Sequence, residues 1–428
     1  MVVGAKLFVV RVALKAAFAV CAFLLAGCSR SVPRTSGPLP QRGYQWQRDW
    51  TPAVIDAVVT AQQRLDGVVL LGGEVEWIEK KPSLITANID WEIVKSRQIR
   101  CGLALRIAPF AVAFGRDDSN TRFVVDAAQS LVDIAASHNV ALSEFQIDFD
   151  CPQKNLAVYR VWLRALRQAV HPVRLVLTTL PAWLDDPEFV PLVREADGYV
   201  LQVHSVPILG ANDRRNLCDA QSVRTWVKRA AHLGVPFSAA LPTYRCAAGY
   251  DPSGKLLSVA MDSVQPAWPP GTRVLEFETN AGDMATLINE WQRARPPQLR
   301  EVIWYRIPVS TDIRNWHWAT LSAVMSGRKP LRQLEVLQEG ENPIDLSIVN
   351  TGEAEEELDS AITAIWNGAA TVTADALTGW TVDITHGRAI FRNTSGHQMR
   401  LSPGGKRQIG WLRYEQPVTL QLKLAKNE

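Results

Sequence analysis

Short apolar runs alternate with amphipathic helical stretches from residue 44 to about residue 332. Eight of the runs predict β-strands, at residues 44–48, 67–73, 101–108, 144–150, 174–180, 198–204, 237–241 and 301–307. Most of the stretches between them have helical spacing, as where Leu156, Tyr159 and Leu163 fall on one face. Strand–helix units repeated over roughly 290 residues predict a (β/α)8 TIM-type barrel, within an α/β fold class. A doubly wound open sheet is the main alternative.

One connection in this pattern is much longer than the others, from residue 245 to residue 280. It holds two apolar runs, 255–261 and 273–278, which indicate a pair of strands. Long connections inside a compact domain are usually functional. The segment therefore predicts a hairpin that lies over the mouth of the barrel.

The helical spacing ends after Lys329-Pro330. Turn signals (Asn-Gly, Thr-Gly and Pro-Gly-Gly) then separate six short apolar runs, at residues 344–349, 361–366, 380–384, 389–392, 408–411 and 418–424. Short strands with frequent turns are typical of a β-sandwich. We therefore predict two folded domains, a barrel over 44–332 and a small C-terminal β-sandwich over 333–428.

The N-terminal 27 residues indicate export. Lys6, Arg11 and Lys15 carry positive charge, and residues 16–27 are apolar but too few to span a bilayer. The ending Leu25-Ala26-Gly27-Cys28 resembles the bacterial lipobox, which implies cleavage before Cys28 and lipidation of its thiol. A plain secretory signal or an uncleaved anchor is the alternative. Residues 28–43, rich in Pro, Ser, Gly and Arg, predict a flexible tether.

Charge and missing motifs exclude several functions. The chain carries 46 basic and 43 acidic residues, a net charge of +3, and three of the basic residues lie in the signal segment. The remaining chain is near neutral, so it lacks the basic footprint of a nucleic-acid-binding protein. The sequence has no GxSxG, P-loop, GxGxxG or HExxH motif. It therefore predicts no cofactor and no metal site.

Four of the six cysteines lie in the predicted barrel. Cys218 and Cys246 follow neighbouring predicted strands, so their loops can meet, and a disulfide bond between them is a candidate that the sequence leaves open. Cys101 begins one strand and Cys151 ends the next, at opposite ends of the barrel. We therefore expect that this second pair does not form a bond.

The candidate chemistry centres on the fourth predicted strand, Phe145-Gln146-Ile147-Asp148-Phe149-Asp150. Strand side chains alternate between two faces, so Gln146, Asp148 and Asp150 share the face opposite to the aromatic residues. In a barrel of this class the polar face points inward, near the C-terminal ends of the strands where active sites lie. Two carboxyl groups this close supply the acid and the base that glycoside hydrolysis needs. A structural Asp pair that orders loops is the alternative.

This strand resembles the DxxDxDxE motif of family 18 glycoside hydrolases, the chitinase-like barrels. Asp148 and Asp150 match the second and third acids, while Phe145 stands at the first and Pro152 stands at the catalytic Glu. The resemblance implies a glycosidase-like barrel from which the proton donor of the family is absent. The order of the lipobox, the IDFD sequence and a late WYRIP sequence is also similar to a bacterial family of predicted lipoproteins without assigned activity.

Polar and aromatic residues at other strand ends are candidates for the same cleft, because strand ends converge at the mouth of a barrel. Asp148, Asp150, Glu76 and Tyr305 are the catalytic candidates. The candidate ligand-binding residues are Trp46, Gln202, His204, Tyr244, Trp304 and Arg306. The chain contains 15 Trp residues, several of them near strand ends, and flat aromatic faces stack on sugar rings.

These patterns predict a lipid-anchored envelope protein, on the periplasmic face of the outer membrane. Its barrel would bind a polysaccharide or other glycan and is a candidate glycoside hydrolase. The alternative is a non-catalytic glycan-binding or envelope-assembly lipoprotein on a degenerate glycosidase barrel. The C-terminal domain is a candidate site for an envelope protein partner.

Overall fold

The computed structural model describes residues 34–109, 118–204, 216–261, 267–358, 360–367, 371–394 and 399–426. Its N-terminal domain contains eight parallel barrel strands, β1 (Gln41–Gln45), β2 (Val68–Ile78), β3 (Cys101–Ile107), β4 (Phe145–Phe149), β5 (Leu175–Thr179), β6 (Gly198–Gln202), β7 (Phe237–Pro242) and β8 (Leu299–Tyr305). Each overlaps one of the eight predicted runs. The predicted signal peptide, Cys28 and most of the predicted tether lie outside the described residues.

The eight strands close into a barrel. Each strand pairs in parallel with the next along the chain, and β1 pairs with both β2 and β8. An open doubly wound sheet would leave two edges unpaired, so the closure excludes that alternative. The predicted TIM-type fold is confirmed.

The barrel is surrounded by helices that follow the strands in order. Within the described residues these are α1 (Pro52–Arg64), α2 (Trp91–Ser96), α3 (Ser119–Ser137), α4 (Leu156–Val170), α5 (Phe189–Val193), α6 (Ala220–His232), α7 (Ala281–Arg293) and α8 (Trp318–Met325). Side-chain caps begin several of them, as where Asp118 accepts a hydrogen bond from the backbone N–H of Thr121. The apolar faces of the helices pack on the outward-facing strand residues, and together they form the main hydrophobic core.

The barrel begins earlier than predicted. Strand β1 starts at Gln41, so residues 41–43 belong to the sheet and are not part of a tether. Thr35 also pairs with Arg295, and the Arg295 guanidinium donates to the carbonyl oxygens of Gly37 and Pro38. The segment before the barrel is therefore packed against it from Thr35 onward, because its backbone groups are paired.

Strand β2 is longer than predicted, and it includes both Glu74 and Glu76. It runs to Ile78 and pairs with an additional antiparallel strand, Lys81–Thr86, so Glu74 and Glu76 lie within the strand and do not follow it. Its pairing with β3 shifts register between Leu71 and Gly73, which marks a β-bulge. The predicted end of the strand, at residue 73, is thus a bulge inside a continuing strand.

The long insert forms a three-stranded antiparallel sheet. The predicted strands appear as Leu256–Ala260 and Arg273–Glu278, and both pair with a third strand, Arg245–Tyr250, which the sequence did not predict. The sheet packs Tyr250, Cys246 and Phe277 into a small core of its own with Tyr244.

The C-terminal domain contains two four-stranded antiparallel sheets. One consists of Leu334–Glu339, Ile344–Asn350, Lys406–Tyr414 and Val372–Ala376, and the other of Trp380–Thr385, Arg388–Asn393, Ser360–Trp366 and Leu420–Lys426. Their inner faces share one core, which includes Leu346, Ile409, Ile362 and Phe391. The predicted sandwich is confirmed, although strands 334–339 and 372–376 were not predicted.

The candidate disulfide bond between Cys218 and Cys246 is not formed. Cys101, Cys151, Cys218 and Cys246 are all buried free thiols. Cys218 lies in the outer core of the barrel, whereas Cys246 lies in the core of the insert. The two thiols therefore lie in different cores, although the strands that precede them are neighbours in the barrel.

No helix among the described residues is both long and apolar enough to cross a membrane.

Candidate functional site

The inward faces of the barrel strands form successive layers. A central layer of Tyr44, Val69, Ala104, Val176, Val200, Ala240 and Ile303 fills the barrel. The Tyr44 hydroxyl donates to Gln146 Oε1 at 2.8 Å, so the predicted polar face of β4 does point inward. Asp148 lies one layer nearer to the C-terminal end, which we call the barrel mouth.

Asp148 is held at the barrel mouth through one of its two carboxylate oxygens. Its Oδ1 accepts hydrogen bonds from Thr178 Oγ1 and from Gln202 Nε2, both at 2.8 Å. Thr178 is buried in β5, and Gln202 ends β6. Among the described residues, the other oxygen of Asp148, Oδ2, accepts no hydrogen bond. The carboxyl group is thus oriented and still has capacity to bind.

Asp148 and Asp150 titrate differently because they lie at different depths. Burial and the charge of Asp150 raise the pKa of Asp148 to about 6, against the opposing effects of Thr178, Arg106 and Gln202. Asp150 follows the end of β4 and is exposed; partial desolvation still raises its pKa, and Arg106 opposes that shift. The charge of Asp150 helps to keep the proton on Asp148, so the two carboxyl groups titrate as a coupled pair.

A chain of alternating charges lies beside the two aspartates. Arg106 of β3 donates to Glu74 at 2.9 Å, and Arg48 contacts both Glu74 and Glu76, the latter at 3.1 Å. The charge of Arg106 acts on Asp148 and Asp150. Glu76 is therefore engaged in an ion pair, and about 40% of its side chain is exposed.

Aromatic rings line the opposite side of the mouth. Trp46 contacts Tyr305 edge-on with ring centroids 5.4 Å apart, and Tyr305 stacks on His204 at 5.5 Å. The Tyr244 hydroxyl lies 3.3 Å from His204 Nδ1. Burial lowers the pKa of His204 to about 4, so this ring is neutral at pH 7. We call Asp148, Asp150, Arg106, Gln202 and these four aromatic residues the mouth site.

The structure places two predicted ligand-binding residues elsewhere. Trp304 is fully buried on the outer side of β8, where its Nε1–H donates to Gln41 Oε1 at 2.9 Å. Arg306 is buried in an ion pair with Asp312. Neither side chain belongs to the mouth site. Five other tryptophans near strand ends pack in or against the outer core, namely Trp50, Trp77, Trp183, Trp316 and Trp318.

Sequence reasoning missed Arg106 and Thr178. Both belong to inward faces, because Ala104 precedes Arg106 by two residues and Val176 precedes Thr178 by two. A polar residue near the C-terminal end of a barrel strand was the available signal, the same one that identified Asp148. The described residues contain no group of three or more His, Cys, Asp or Glu side chains arranged to hold a metal ion.

Several solved barrels resemble this structure at low sequence identity. The spore cortex-lytic enzymes SleL of Bacillus megaterium QM B1551 and Bacillus cereus are 13% and 9% identical, with TM-scores of 0.48 and 0.49, and each match covers 69% of this chain and 75% of the other. A family GH18 chitinase from Chromobacterium violaceum is 12% identical with a TM-score of 0.42, covering 91% of this chain and 90% of the other.

Sequence comparisons match the chain to two family models. No curated protein matches the chain. Two family models do match: residues 116–310 match "Domain of unknown function (DUF3142)", and residues 333–415 match "Domain of unknown function (DUF8456)". The resemblance to a family without assigned activity agrees with these matches, and the boundary between them separates the barrel from the sandwich.

Proposed function

We propose that the mouth site binds a glycan. One side of the site offers charged and amide groups from Asp148, Asp150, Arg106 and Gln202, and the other side offers aromatic rings. A sugar presents hydroxyl groups around its rim and apolar C–H groups on its faces, so it fits a site with one polar and one aromatic side.

The observation that carries this proposal is the way Asp148 is held. Thr178 and Gln202 fix Oδ1, and Oδ2 accepts no hydrogen bond from the described residues. A partly buried carboxylate with a free oxygen gains from a hydroxyl donor supplied by a ligand.

Hydrolysis of the bound glycan is the second candidate, and the coupled pair Asp148–Asp150 favours it. Glycoside hydrolysis needs one protonated and one ionised carboxyl group, and the burial of Asp148 beside the charge of Asp150 favours a proton on Asp148. Glu76, the other candidate from the sequence, is less suited because Arg48 already binds it. Pro152 offers no proton at the position of the family's acid.

Asp150→Asn tests binding and hydrolysis together. The substitution keeps the shape of the side chain and removes its charge. Loss of a hydrogen bond to a charged group should weaken affinity by about tenfold or more. We expect this loss, and loss of any turnover, when calorimetry and a reducing-end assay are run on β-1,4-linked oligomers of glucose and N-acetylglucosamine.

Asp56→Asn is the matched control, since Asp56 is an exposed residue on the outer helix α1. It should bind like the wild-type protein. Equal affinity of Asp150→Asn and wild type would argue against a glycan at the mouth. Binding without turnover in the wild type would leave binding alone as the function.

We also propose that the protein is anchored to the cell envelope, on the periplasmic face of the outer membrane, by a lipid on Cys28. The motif Leu25-Ala26-Gly27-Cys28 supports this proposal. Residues 28–34 would then link the lipid to a segment that packs on the barrel from Thr35 onward.

Cys28→Ser should abolish labelling by a palmitate analogue and leave an unprocessed precursor, because an oxygen replaces the sulfur that forms the thioether. Metabolic labelling and the mass of the purified chain measure both effects. Cys21→Ser is the control, since Cys21 lies in the segment expected to be removed, and its mature product should be unchanged. Wild-type protein without an acyl chain would contradict the anchor.

A further inference from the structure

A cavity lies between the barrel and the sandwich, and it shares Tyr244 with the mouth site. Its volume of about 760 Å³ is within the usual range for small-molecule sites. The barrel contributes residues 280–283, at the N-terminus of α7, and residues 314–317. The sandwich contributes residues 354–357 and Arg400. We call this space the interdomain cavity.

The charges around the interdomain cavity balance. Five basic and five acidic side chains line it, namely Arg245, Arg314, Lys329, Arg332 and Arg400 with Glu278, Asp283, Glu355, Glu356 and Glu357. Several pair across the two domains, as Arg245 does with Glu355, and Arg400 with Glu278 at 2.9 Å. A strongly charged ligand would meet like charges on these walls, so the lining favours a neutral, polar one.

Two buried polar atoms of the lining residues lack partners. Arg314 is only 6% exposed, and its NH1 group donates to Glu276 at 2.9 Å, but its Nε–H has no acceptor among the described residues. Glu356 lies 3.5 Å from Arg332 through Oε2, while its buried Oε1 accepts no hydrogen bond within that same part of the chain. A buried donor and a buried acceptor left unpaired are unfavourable.

We propose that the interdomain cavity binds a sugar residue, with one wall from each domain. Hydroxyl groups both accept, as the Arg314 Nε–H requires, and donate, as Glu356 Oε1 requires, whereas a simple anion or cation can satisfy only one of the two. Trp316 and His317 add aromatic surface to the same wall. The choice of a sugar over another polyol rests on the proposed function of the mouth site.

The end of β7 connects the two sites. Tyr244 contacts His204 at the mouth, and the next residue, Arg245, pairs with Glu355 of the sandwich. The sandwich thereby takes part in recognition and is not only an appendage of the barrel.

Fluorine NMR of protein labelled with 5-fluorotryptophan can follow both sites at once. Trp46 reports on the mouth and Trp316 on the interdomain cavity, and Trp46→Phe and Trp316→Phe assign their signals. Dimers to hexamers of β-1,4-linked glucose and N-acetylglucosamine are the probes. We expect both signals to shift on titration of the wild-type protein.

Arg314→Lys keeps the charge and removes the Nε–H, and Glu356→Met keeps the size and removes the acceptor. Each should weaken the affinity read from Trp316 by about tenfold and leave that read from Trp46 unchanged. Arg392→Lys and Glu339→Met, exposed positions of the sandwich that do not line the cavity, are the matched controls. They should change neither affinity.

The two signals separate the possible failures. If only Trp46 responds, the interdomain inference is wrong and the proposed function stands. If only Trp316 responds, and both cavity variants weaken that response, the cavity is supported and the mouth is not. If neither signal responds, both proposals are overturned. If Trp316 responds and the cavity variants do not weaken that response, the interdomain inference alone is overturned.

Discussion

Arg42→Met should lower the free energy of unfolding of the barrel by about 3–5 kcal/mol, the usual effect of removing one partner from a buried ion pair. Arg42 lies in the bottom layer of the barrel, and 12% of its side chain is exposed. It binds Glu144 at 2.9 Å and Glu301 at 2.9 Å. Burial alone would lower the pKa of Arg42, but the two glutamates raise it overall. Removing the guanidinium leaves the buried Glu144 carboxylate and the partly buried Glu301 carboxylate without their counter-charge.

Urea unfolding followed by tryptophan fluorescence measures this loss. Arg300→Met is the matched control, because Arg300 is exposed in the same region and should change the free energy by less than about 0.5 kcal/mol. The triple variant with Glu144→Gln and Glu301→Gln added should recover most of the stability, since no buried charge is left unpaired. Equal losses for Arg42→Met and Arg300→Met would show that the ion triad does not stabilise the barrel.

Asp148→Asn should make the protein more stable above pH 6, by as much as about 3 kcal/mol, and leave its stability unchanged near pH 3. The pKa of Asp148 is raised from 3.8 to about 6, so the folded protein retains a proton between these values that the unfolded chain has lost. Stability therefore falls as the pH rises through this window, and the full penalty remains above it. Each pKa unit corresponds to about 1.4 kcal/mol.

Asparagine keeps an Oδ1 that can accept from Thr178 and Gln202, so the substitution removes the charge and little else. Denaturation curves at pH 3, 5 and 8 measure the difference, with Asp56→Asn as the exposed control. A variant less stable than wild type at pH 8 would identify Asp148 as a structural residue. A variant that is more stable but binds the glycan more weakly would show that the wild-type Asp148 lowers stability in exchange for binding.

The sequence could predict a site residue only where polar and apolar residues alternate visibly along a strand. In β4, polar residues occupy one face only, so Gln146 and Asp148 could be assigned to the interior without coordinates. In β8, Ile303, Trp304 and Tyr305 are all apolar or aromatic, as expected for a parallel strand buried on both faces. The pattern there does not reveal which residue points inward, and Trp304 was assigned to the wrong side.

Register changes were also hidden from the sequence. The predicted strand ended at residue 73, but a Cβ atom at Gly72 would approach the Leu103 side chain within 2.7 Å. The glycine is therefore required by close packing at the bulge, and the strand continues through Glu74 to Ile78. Because the strand continues, its glutamates meet Arg48 and Arg106, a contact between distant segments that no local pattern encodes.

The four unpaired thiols of the barrel give the molecule built-in reporters of local opening. Burial raises the pKa of Cys101, Cys151 and Cys246 to about 12 and raises that of Cys218 as well, so little reactive thiolate exists while the fold is closed. Each thiol can react with an alkylating reagent only when its surroundings separate. Because Cys101 lies at the bottom of the barrel, Cys151 at the mouth and Cys246 in the insert, their separate reaction rates would map which part of the molecule opens first.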